Sequence, residues 1–472
     1  MMQNFKSLSS LFENLCAFGV RRTCRFHTRR LSSVNFPVIS SSSKRKYLPE
    51  LLYRKTPFNE QGSFLKTLST STQKDNLNIN EDGSEIVIHW NDDAEALSRY
   101  HSIWLRYNCK CDSCIQAHSG QKLTDILSIP EKPTLISATL QPDGNHVHLR
   151  WKEEPDHVGV VTLDWLKEYC YSQKARNDRM KKCEYKFLTG NIEYFDFEQV
   201  MSCEKTFLRY VTFLNEYGVT VIDGIPTEND ENKVIEIAKR LGGVLTTLYG
   251  AHFDVKNEDK PINVAYTSVE LDFHMDLSYY ESVPGLQLLH CIRFDDAVVG
   301  GESVLLDIFQ VVEQLRQQFP DDFDTLCRVP ATFQKVHFER ENPAAFQYQR
   351  SHINVHPVTK HVTAVTWSPQ FEGALHVDED EVVPYYRAYR RLAELLKKSN
   401  FKKELQLHPG QCLVFNNRRV LHGRREFQLN GGKRHLRGCY VNIDEFKNVV
   451  QVEHLKQGTG ELARRVGNQC LF

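Results

Sequence analysis

Between residues 84 and 176, hydrophobic and polar positions alternate in short runs, a pattern that predicts β-strands. The run SEIVIHW predicts one strand, and the runs TLISATL and HVHLRW, joined by the turn PDGN, predict a hairpin. From Ile86 to about Arg176 the sequence therefore predicts a small module rich in β-structure.

After residue 196 the apolar positions of several segments follow the period of a helix. One amphipathic helix is predicted for FEQVMSCEKTFLRYVTFLNEYG, and it leads into the strand VTVIDGI. A second helix is predicted for VIEIAKRLGG, where Gly242 and Gly243 end it. Two further helices are predicted for IFQVVEQLRQQF and DEVVPYYRAYRRLAELLKK, and we expect their apolar residues to pack a core.

Near the C-terminus the pattern predicts two strands and the turns that bound them. Pro409 and Gly410 open a turn, the buried strand CLVFNN and the segment VLHGRR follow, and QLNGGK makes a second turn before the strand HLRGCYVNI. This order predicts a hairpin-like pair. On such a pair His422 and Arg434, twelve residues apart, would lie close together on neighbouring strands.

Composition limits the class of protein. The chain has 472 residues, of which 41% are hydrophobic, and this is enough for two or more domains with a substantial core. The 59 basic and 60 acidic residues give a formal net charge of −1, so no global field favours nucleic acid or an anionic membrane as partner. No apolar run approaches the roughly 18 residues that a membrane span needs.

The first 46 residues resemble an import signal in composition. They contain nine lysines and arginines against one acidic residue, Glu13, together with many serines. Such a leader suits mitochondrial import better than secretion, which needs an unbroken apolar core. A disordered basic tail is the alternative. We expect residues 1–75 to be a mitochondrial transit peptide and disordered linker outside the fold.

Three cysteines fall within six residues and predict a metal site. Thirteen cysteines without a secretory signal indicate thiols or metal ligands and not a disulfide framework. Cys109, Cys111 and Cys114 are close enough in sequence to bind Zn²⁺ as thiolates, with one more ligand. Three unligated thiols are the alternative. Spacing alone does not decide which of four histidines is the fourth ligand: His118, His146, His148 or His157.

A His-x-acid pair can bind one metal ion from a strand, because residues two apart project to the same face. The pattern occurs at four places, so spacing alone does not select one: His252 and Asp254, His274 and Asp276, His337 and Glu339, His376 and Asp378. One such pair, together with a distant histidine such as His422 and a downstream arginine such as Arg434, makes up what an Fe(II) and 2-oxoglutarate oxygenase requires. Two imidazoles and one carboxylate would hold the metal, and a guanidinium would pair with the far carboxylate of the 2-oxo acid.

The motifs DFHMDL, GGES (300–303), FNNRRVLHGRR and RHLRGCY resemble those of the γ-butyrobetaine and trimethyllysine dioxygenases, a branch of the taurine dioxygenase-like oxygenases. The resemblance runs from about Glu85 to about Asp444. It implies that His274, Asp276 and His422 are iron ligands and that Arg434 anchors 2-oxoglutarate. By the same resemblance, Ser303 places a hydroxyl near that cofactor and His157 completes the zinc site.

A trimethylammonium group carries no N–H, so aromatic faces must hold it. The resemblance implies substrate contacts at Tyr249, Phe253, Asn263, Tyr266 and Tyr440, although each aromatic among them could equally belong to the core. Three departures from the family pattern weaken such a cage and the carboxylate contacts beside it. Phe253 stands in place of tryptophan, Leu277 in place of tyrosine, and Ser368 with Pro369 in place of amides.

The expected fold is α+β: a double-stranded β-helix, or jelly-roll, oxygenase core with helical inserts over 190–455, and a zinc-bound β-rich domain over 79–180. The expected function is hydroxylation of γ-butyrobetaine or a related trimethylammonium or amino-acid-like compound in carnitine biosynthesis. Alternatives are a hydroxylase for trimethyllysine or an unrelated small substrate, a non-catalytic zinc-stabilised scaffold, and a zinc hydrolase.

The resemblance implies Fe(II), 2-oxoglutarate, O₂, structural Zn(II) and ascorbate as reductant. It implies a small-molecule substrate, allows a homodimer, and gives no nucleic-acid or membrane partner. We expect a mitochondrial location, in the matrix, with the cytoplasm as the alternative.

Overall fold

A computed structural model describes residues 76–90, 97–181, 185–228, 232–256, 267–339, 342–458 and 463–464. The expected transit peptide and linker, residues 1–75, lie outside this range. The chain divides into two units, one of residues 1–72 with 115–123 and one of the remaining residues. In the first unit, Ile115 and Lys122 form an antiparallel bridge. Everything below concerns the second unit.

The N-terminal module consists of two small antiparallel sheets with short helices. Its elements are β1 (Asn76–Ile79), β2 (Glu85–His89), β3 (Leu97–His101), α1 (Ser102–Tyr107), β4 (Leu135–Leu140), β5 (His146–Trp151), β6 (Glu154–Thr162), α2 (Leu163–Glu168) and α3 (Gln173–Lys181). Strands β1, β2 and β3 form one sheet, and β4, β5 and β6 form the other. The predicted strand at 84–90 and the predicted hairpin are confirmed. Trp151 is fully buried in the shared core, and its indole N–H donates to Ser102.

The larger part of the chain combines strands with peripheral helices. Its elements are β7 (Tyr194–Asp196), α4 (Phe197–Ser202), α5 (Glu204–Tyr217), β8 (Val219–Asp223), α6 (Lys233–Arg240), β9 (Phe253–Lys256), β10 (Leu271–His274), β11 (Leu286–Phe294), β12 (Val299–Gly300), β13 (Ser303–Asp307), α7 (Ile308–Gln318), α8 (Pro320–Arg328), β14 (Pro330–His337), β15 (Ala344–Ser351), β16 (Ile353–Val355), β17 (Val362–Val365), α9 (Glu379–Lys398), β18 (Lys403–Leu405), β19 (Cys412–Asn416), β20 (Val420–Arg424), β21 (Phe427–Gln428), β22 (Arg434–Val441) and α10 (Ile443–Gln457).

Two sheets form the centre of this part. The major sheet has the strand order β7-β8-β19-β11-β22-β9, and the minor sheet has the order β10-β20-β13-β18. Leu413 and Phe415 of the major sheet pack against Leu305 and Val420 of the minor sheet. The interior between the two sheets therefore holds one hydrophobic core and, as shown below, the candidate site.

Helices cover the outer face of each sheet. Val414 and Cys439 project from the major sheet into a core shared with α5, α6 and α10. Leu306 and Leu421 project from the minor sheet into a core shared with α7, α8 and α9. Successive residues of a strand point to opposite faces, so each central strand sends alternate side chains to a helix layer and to the interior. This explains why every residue of β19, β20 and β22 is buried.

Two predictions about these elements are wrong. The helix predicted over 197–218 is broken at Cys203, which has an extended backbone between α4 and α5. The C-terminal strands do not form a hairpin-like pair, because β19 and β22 each pair with β11, while β20 belongs to the minor sheet. Apolar periodicity identifies strands well, but it carries little information on which strands pair.

Among the described residues, no helix is long and apolar enough to cross a membrane.

A buried acid makes the stability of this fold depend on pH. Burial raises the pKa of Glu372 from 4.5 to about 7, although a hydrogen bond with Tyr389 opposes the shift. The stability contributed by the neutral carboxyl is fully present below pH 4.5 and is lost as the pH rises through about 7.

We therefore expect the free energy of unfolding of the natural chain to fall between about pH 5 and pH 8 by on the order of 2 kcal/mol relative to Glu372→Gln. Denaturant unfolding of both proteins across this pH range measures the difference. If the free energy of unfolding changed with pH in the same way in both proteins, the raised pKa of Glu372 would be contradicted.

Candidate active site

His274 and His422 face each other between the sheets. They are directly opposed partners on β10 and β20, and their ring centroids are 4.2 Å apart. The register of β10 shifts between Leu271 and His274. Such a bulge re-aims side chains, so both Leu271 and His274 reach the interior although they are three residues apart. The Nδ1 of His274 lies 2.9 Å from the carbonyl oxygen of Asp272, which leaves its Nε2 for the interior.

Asp276 lies beyond the end of β10, so His274 and Asp276 do not share one strand. Its backbone is held instead by Asn417, whose side-chain oxygen accepts from the Asp276 N–H and whose amide donates to the Asp276 carbonyl, both at 3.0 Å. Leu277 follows with a φ of 57°, a left-handed conformation that is strained for leucine. This turn directs the Asp276 carboxylate back towards the two histidines.

The Asp276 carboxylate has one oxygen fixed by the protein and one facing an imidazole. Its Oδ2 accepts hydrogen bonds from the Gln287 amide at 2.8 Å and from the Tyr440 hydroxyl at 2.7 Å. Its Oδ1 lies 3.5 Å from Nε2 of His274, and Nε2 of His422 lies 4.0 Å from Oδ2. Ligand atoms of His274, Asp276 and His422 all lie within 4.8 Å of one another, close enough to share one metal ion.

The protonation states suit metal binding. Burial alone would raise the pKa of Asp276, but the neighbouring imidazoles and the Tyr440 hydroxyl hold it well below its usual range. Burial and the proximity of His274 lower the pKa of His422 to about 3. Burial also raises the pKa of Tyr440, so its hydroxyl keeps the proton that it donates to Asp276. The cluster therefore presents a carboxylate and a neutral imidazole, the forms that bind metals.

Arg434 begins β22 and reaches the same cavity as the metal cluster. Burial and the nearby Arg424 lower the pKa of Arg434 to about 10. The guanidinium stacks on Phe427, and its Nε is buried without a hydrogen-bond partner among the described residues. An anionic ligand would stabilise a buried cation of this kind, and a carboxylate matches its planar geometry. Ser303 of β13 lines the same cavity.

Aromatic side chains form one wall of the cavity. Tyr440 stacks on Phe253 with the ring centroids 5.1 Å apart, and Tyr249 lies next to Phe253. A Cβ at Gly438 would come within 2.3 Å of the Phe253 ring, so only glycine leaves room for this stack. The wall also includes two residues that sequence analysis missed, Tyr279 and Phe371, which meet edge to face.

The other predicted substrate contacts, and the positions that depart from the family pattern, have different outcomes. Asn263 and Tyr266 lie outside the described residues. Tyr440 uses its hydroxyl to hold Asp276, which the prediction of a cage residue did not include. Leu277 is buried and lines the cavity. Ser368 is buried away from the cavity and donates to the Met275 carbonyl, whereas Gln370 lines it.

Two polar residues in buried strand patterns complete the site. Gln287 lies within the apolar run LQLLHCI, and Asn417 lies two residues after the apolar run CLVF. Buried polar side chains need partners, so a polar residue inside such a run, or in the turn directly after it, is the signal that could have identified both. Among the alternative His-x-acid pairs, Asp254 binds His435 and Arg437 on the opposite face of β22, away from the cavity.

A second cluster lies in the N-terminal module. Ligand atoms of Cys109, Cys111, Cys114 and His157 lie within 4.8 Å of one another. The backbone N–H groups of Cys111 and Val160 both point at the Cys109 sulfur, at 3.4 Å. Such N–H···S contacts stabilise thiolates, and three cysteines with one histidine are a tetrahedral zinc donor set. This geometry shows that the cluster could bind zinc.

Comparison with known proteins shows the family to which the chain belongs. Residues 184–440 match the family model described as taurine catabolism dioxygenase TauD, TfdA family, and residues 77–167 match the model for the N-terminal part of γ-butyrobetaine hydroxylase-like proteins. The chain is 29% identical to the γ-butyrobetaine dioxygenase of Homo sapiens, with 77% of this chain and 93% of the relative covered.

Two further relatives are similarly distant. The γ-butyrobetaine dioxygenase of Pseudomonas sp. (strain AK-1) is 28% identical, with coverage of 78% of this chain and 94% of the relative. The mitochondrial trimethyllysine dioxygenase of Rattus norvegicus is 25% identical, with coverage of 76% and 84%.

The protein is thus an oxidoreductase of the iron- and 2-oxoglutarate-dependent dioxygenase class. Since the first family model covers more than half of its length, the chain belongs to the TauD/TfdA family of dioxygenases.

The contact between Tyr440 and Asp276 predicts a measurable effect on metal affinity. Tyr440→Phe removes the hydroxyl that orients Asp276 but keeps the ring stacked on Phe253. We expect anaerobic calorimetry to show Fe(II) affinity weakened by roughly 10-fold or more, as for other residues that orient metal ligands. Tyr386→Phe, on the exposed side of α9, is the matched control and should leave the affinity unchanged. Equal affinities for the natural chain and Tyr440→Phe would refute this role of the hydroxyl.

Proposed function

We propose that His274, Asp276 and His422 bind Fe(II) and that Arg434 binds the distal carboxylate of 2-oxoglutarate, with Ser303 beside it. The residues fit these groups, because the cluster offers a charged carboxylate and neutral His422, and because the buried Arg434 has an unsatisfied Nε. When bound, iron supplies the coupling of O₂ reduction and 2-oxoglutarate decarboxylation to the hydroxylation of a C–H bond.

The remaining residues bind, orient and exclude water. Gln287 and Tyr440 occupy one oxygen of Asp276, so its other oxygen remains available to the metal. Asn417 fixes the backbone at Asp276, and thereby fixes the distance between the carboxylate and both histidines. The apolar residues Val255, Leu271 and Leu289 close the cavity around the cluster and reduce its access to water.

We propose γ-butyrobetaine or a closely related trimethylammonium compound as substrate. The observation that carries this proposal is the aromatic wall beside the metal cluster, formed by Tyr249, Phe253, Tyr279, Phe371 and Tyr440. Aromatic faces attract a quaternary ammonium that cannot donate hydrogen bonds. Tyr279 and Phe371 offset the loss of a tyrosine at the position of Leu277. Gln370, on the same cavity, is the candidate to bind the polar end of the substrate.

Trimethyllysine is the second candidate, because it carries the same cation and because a similarly distant relative is a trimethyllysine dioxygenase. Both candidates belong to carnitine biosynthesis.

We make three finer proposals, two from the architecture and one from the leader sequence and a relative. The major and minor sheets form the double-stranded β-helix of an oxygenase domain over 190–455, and residues 79–180 form a zinc-binding domain. A mitochondrial location is supported by the basic leader and by the name of the rat relative.

A substrate panel tests the proposed function. Succinate release and hydroxylated product should be measured with γ-butyrobetaine, trimethyllysine, and the neutral carbon isostere of γ-butyrobetaine. We expect succinate and product in about equal amounts with one trimethylammonium substrate, and much weaker turnover with the isostere, because the aromatic wall selects the cation. Equal turnover of the charged and neutral compounds would exclude recognition by the aromatic wall.

Zinc content tests the proposed N-terminal site. Cys109→Ser replaces a buried sulfur that two N–H groups contact, and we expect it to remove about one equivalent of zinc per chain. The N-terminal module should then unfold at lower temperature, because structural zinc contributes directly to folding. Cys203→Ser, remote from the cluster, is the control. Full zinc content in Cys109→Ser would contradict the site.

A further inference from the structure

A second cavity lies behind the segment that carries Asp276. Its volume is about 220 Å³. No described residue lines both this cavity and the cavity that contains the metal cluster. One water needs roughly 10–15 Å³ of such space, so the cavity has room for a ligand of several heavy atoms. Met275 and Ser278, on either side of Asp276 and Leu277, form one wall. Arg350 of β15 and Arg418, in the turn between β19 and β20, also line it.

Both arginines are held in place by carbonyl groups. Arg350 donates through Nη2 to the carbonyl oxygens of Tyr280 and Glu281. Arg418 donates through Nε and Nη2 to the carbonyl oxygen of Val283. Carbonyl oxygens orient a guanidinium but do not neutralise its charge. Moreover, the Nε of Arg350 is buried without a hydrogen-bond partner in the described part of the chain.

The positive charge in this cavity is not balanced by an ion pair. Within the described part of the chain, neither Arg350 nor Arg418 forms an ion pair with a carboxylate. Of the described residues that line the cavity, Glu281 is the only acid, and it is exposed. Burial, with a contribution from Arg418, lowers the pKa of Arg350 to about 10, although Tyr348 and Glu281 oppose the shift. Burial also lowers the pKa of Arg418, although the negative charge of Asp444 opposes that shift. Two partly buried like charges therefore face one cavity, an arrangement that a bound anion would stabilise.

We propose that this cavity binds a small oxyanion with at least two acidic oxygens, of the phosphate or dicarboxylate class, between Arg350 and Arg418. Planar guanidinium groups suit both kinds of oxyanion. Thr366 and Asn354 line the cavity and add neutral polar groups. The bound anion joins β15, the segment 275–283 and the turn that contains Asn417, and this turn holds the backbone of Asp276.

Calorimetric titration of the full chain with inorganic phosphate, and separately with succinate, tests the proposal in a chloride buffer free of other oxyanions. We expect one saturable site outside the active site for at least one of these probes. Arg350→Met and Arg418→Met should each weaken binding by roughly 10-fold or more, because each removes hydrogen bonds to a charged group. Glu281→Gln should tighten binding, because it removes a negative charge from the lining of the cavity.

Two controls distinguish this cavity from the protein surface and from the active site. Arg390→Met removes an exposed arginine on α9 and should leave the affinity unchanged. Arg434→Met alters the proposed 2-oxoglutarate site and should still bind the anion at the second cavity. Anion binding there is therefore tested independently of the proposed function. Binding of phosphate alone assigns a tetrahedral anion, and binding of succinate assigns a carboxylate.

The proposal is overturned if neither probe gives saturable binding. It is also overturned if binding is lost in Arg434→Met but retained in Arg350→Met, since the anion would then occupy the active site. If Arg350→Met does not fold, the anion affinities of Arg350→Lys and Glu281→Gln are measured in its place. Unchanged affinity in both variants would show that the anion does not bind in this cavity.

Discussion

The carboxylate of Asp276 is the constraint on which the rest of this site depends. A buried charge without partners costs several kcal/mol, so a carboxylate between two sheets persists only where the protein surrounds it with donors. Here the Gln287 amide and the Tyr440 hydroxyl, from adjacent strands of the major sheet, hold one of its oxygens. Asn417 holds its backbone from the turn that follows β19. Asp276 is thereby tied to the major sheet, while His274 and His422 belong to the minor sheet.

This division explains why the cavity lies between the sheets. The minor sheet supplies two imidazoles from opposed strands, and the major sheet supplies the groups that orient the carboxylate together with Arg434. Helices on the outer faces bury the alternate residues of the same strands. A shift of either helix layer would therefore move strands that carry metal ligands or the residues that orient them. The packing of distant residues, such as Phe446 on α10 and Leu392 on α9, is in this way coupled to the geometry of the site.

The sequence allowed much of this to be predicted. Strand and hairpin signals located the N-terminal module, and the motifs around His274, His422 and Arg434 selected the residues that the structure brings to one cavity. Pairing was the main failure. His422 and Arg434 line one cavity from two different sheets and do not lie along a hairpin, because β20 belongs to the minor sheet and β22 to the major sheet. Local periodicity does not encode such long-range pairing.

The details missed at the site have similar causes. The bulge in β10 and the left-handed Leu277 change which side chains face inward, and neither has a clear signal in the residues themselves. Tyr279 and Phe371 join the aromatic wall only after the chain folds, because 92 residues separate them. Gln287 and Asn417 could have been anticipated, since a buried polar residue needs a specific partner, whether it lies within a strand or in the turn directly after one.

The central claim is that His274, Asp276, His422 and Arg434 surround one Fe(II) ion and its 2-oxoglutarate. Its most direct test is visible absorption after anaerobic addition of Fe(II) and then 2-oxoglutarate to the folded protein. The claim predicts a metal-to-ligand charge-transfer band that is lost in His274→Ala and that needs a much higher 2-oxoglutarate concentration in Arg434→Met. Absence of the band in the natural chain, or an identical titration in Arg434→Met, would contradict it.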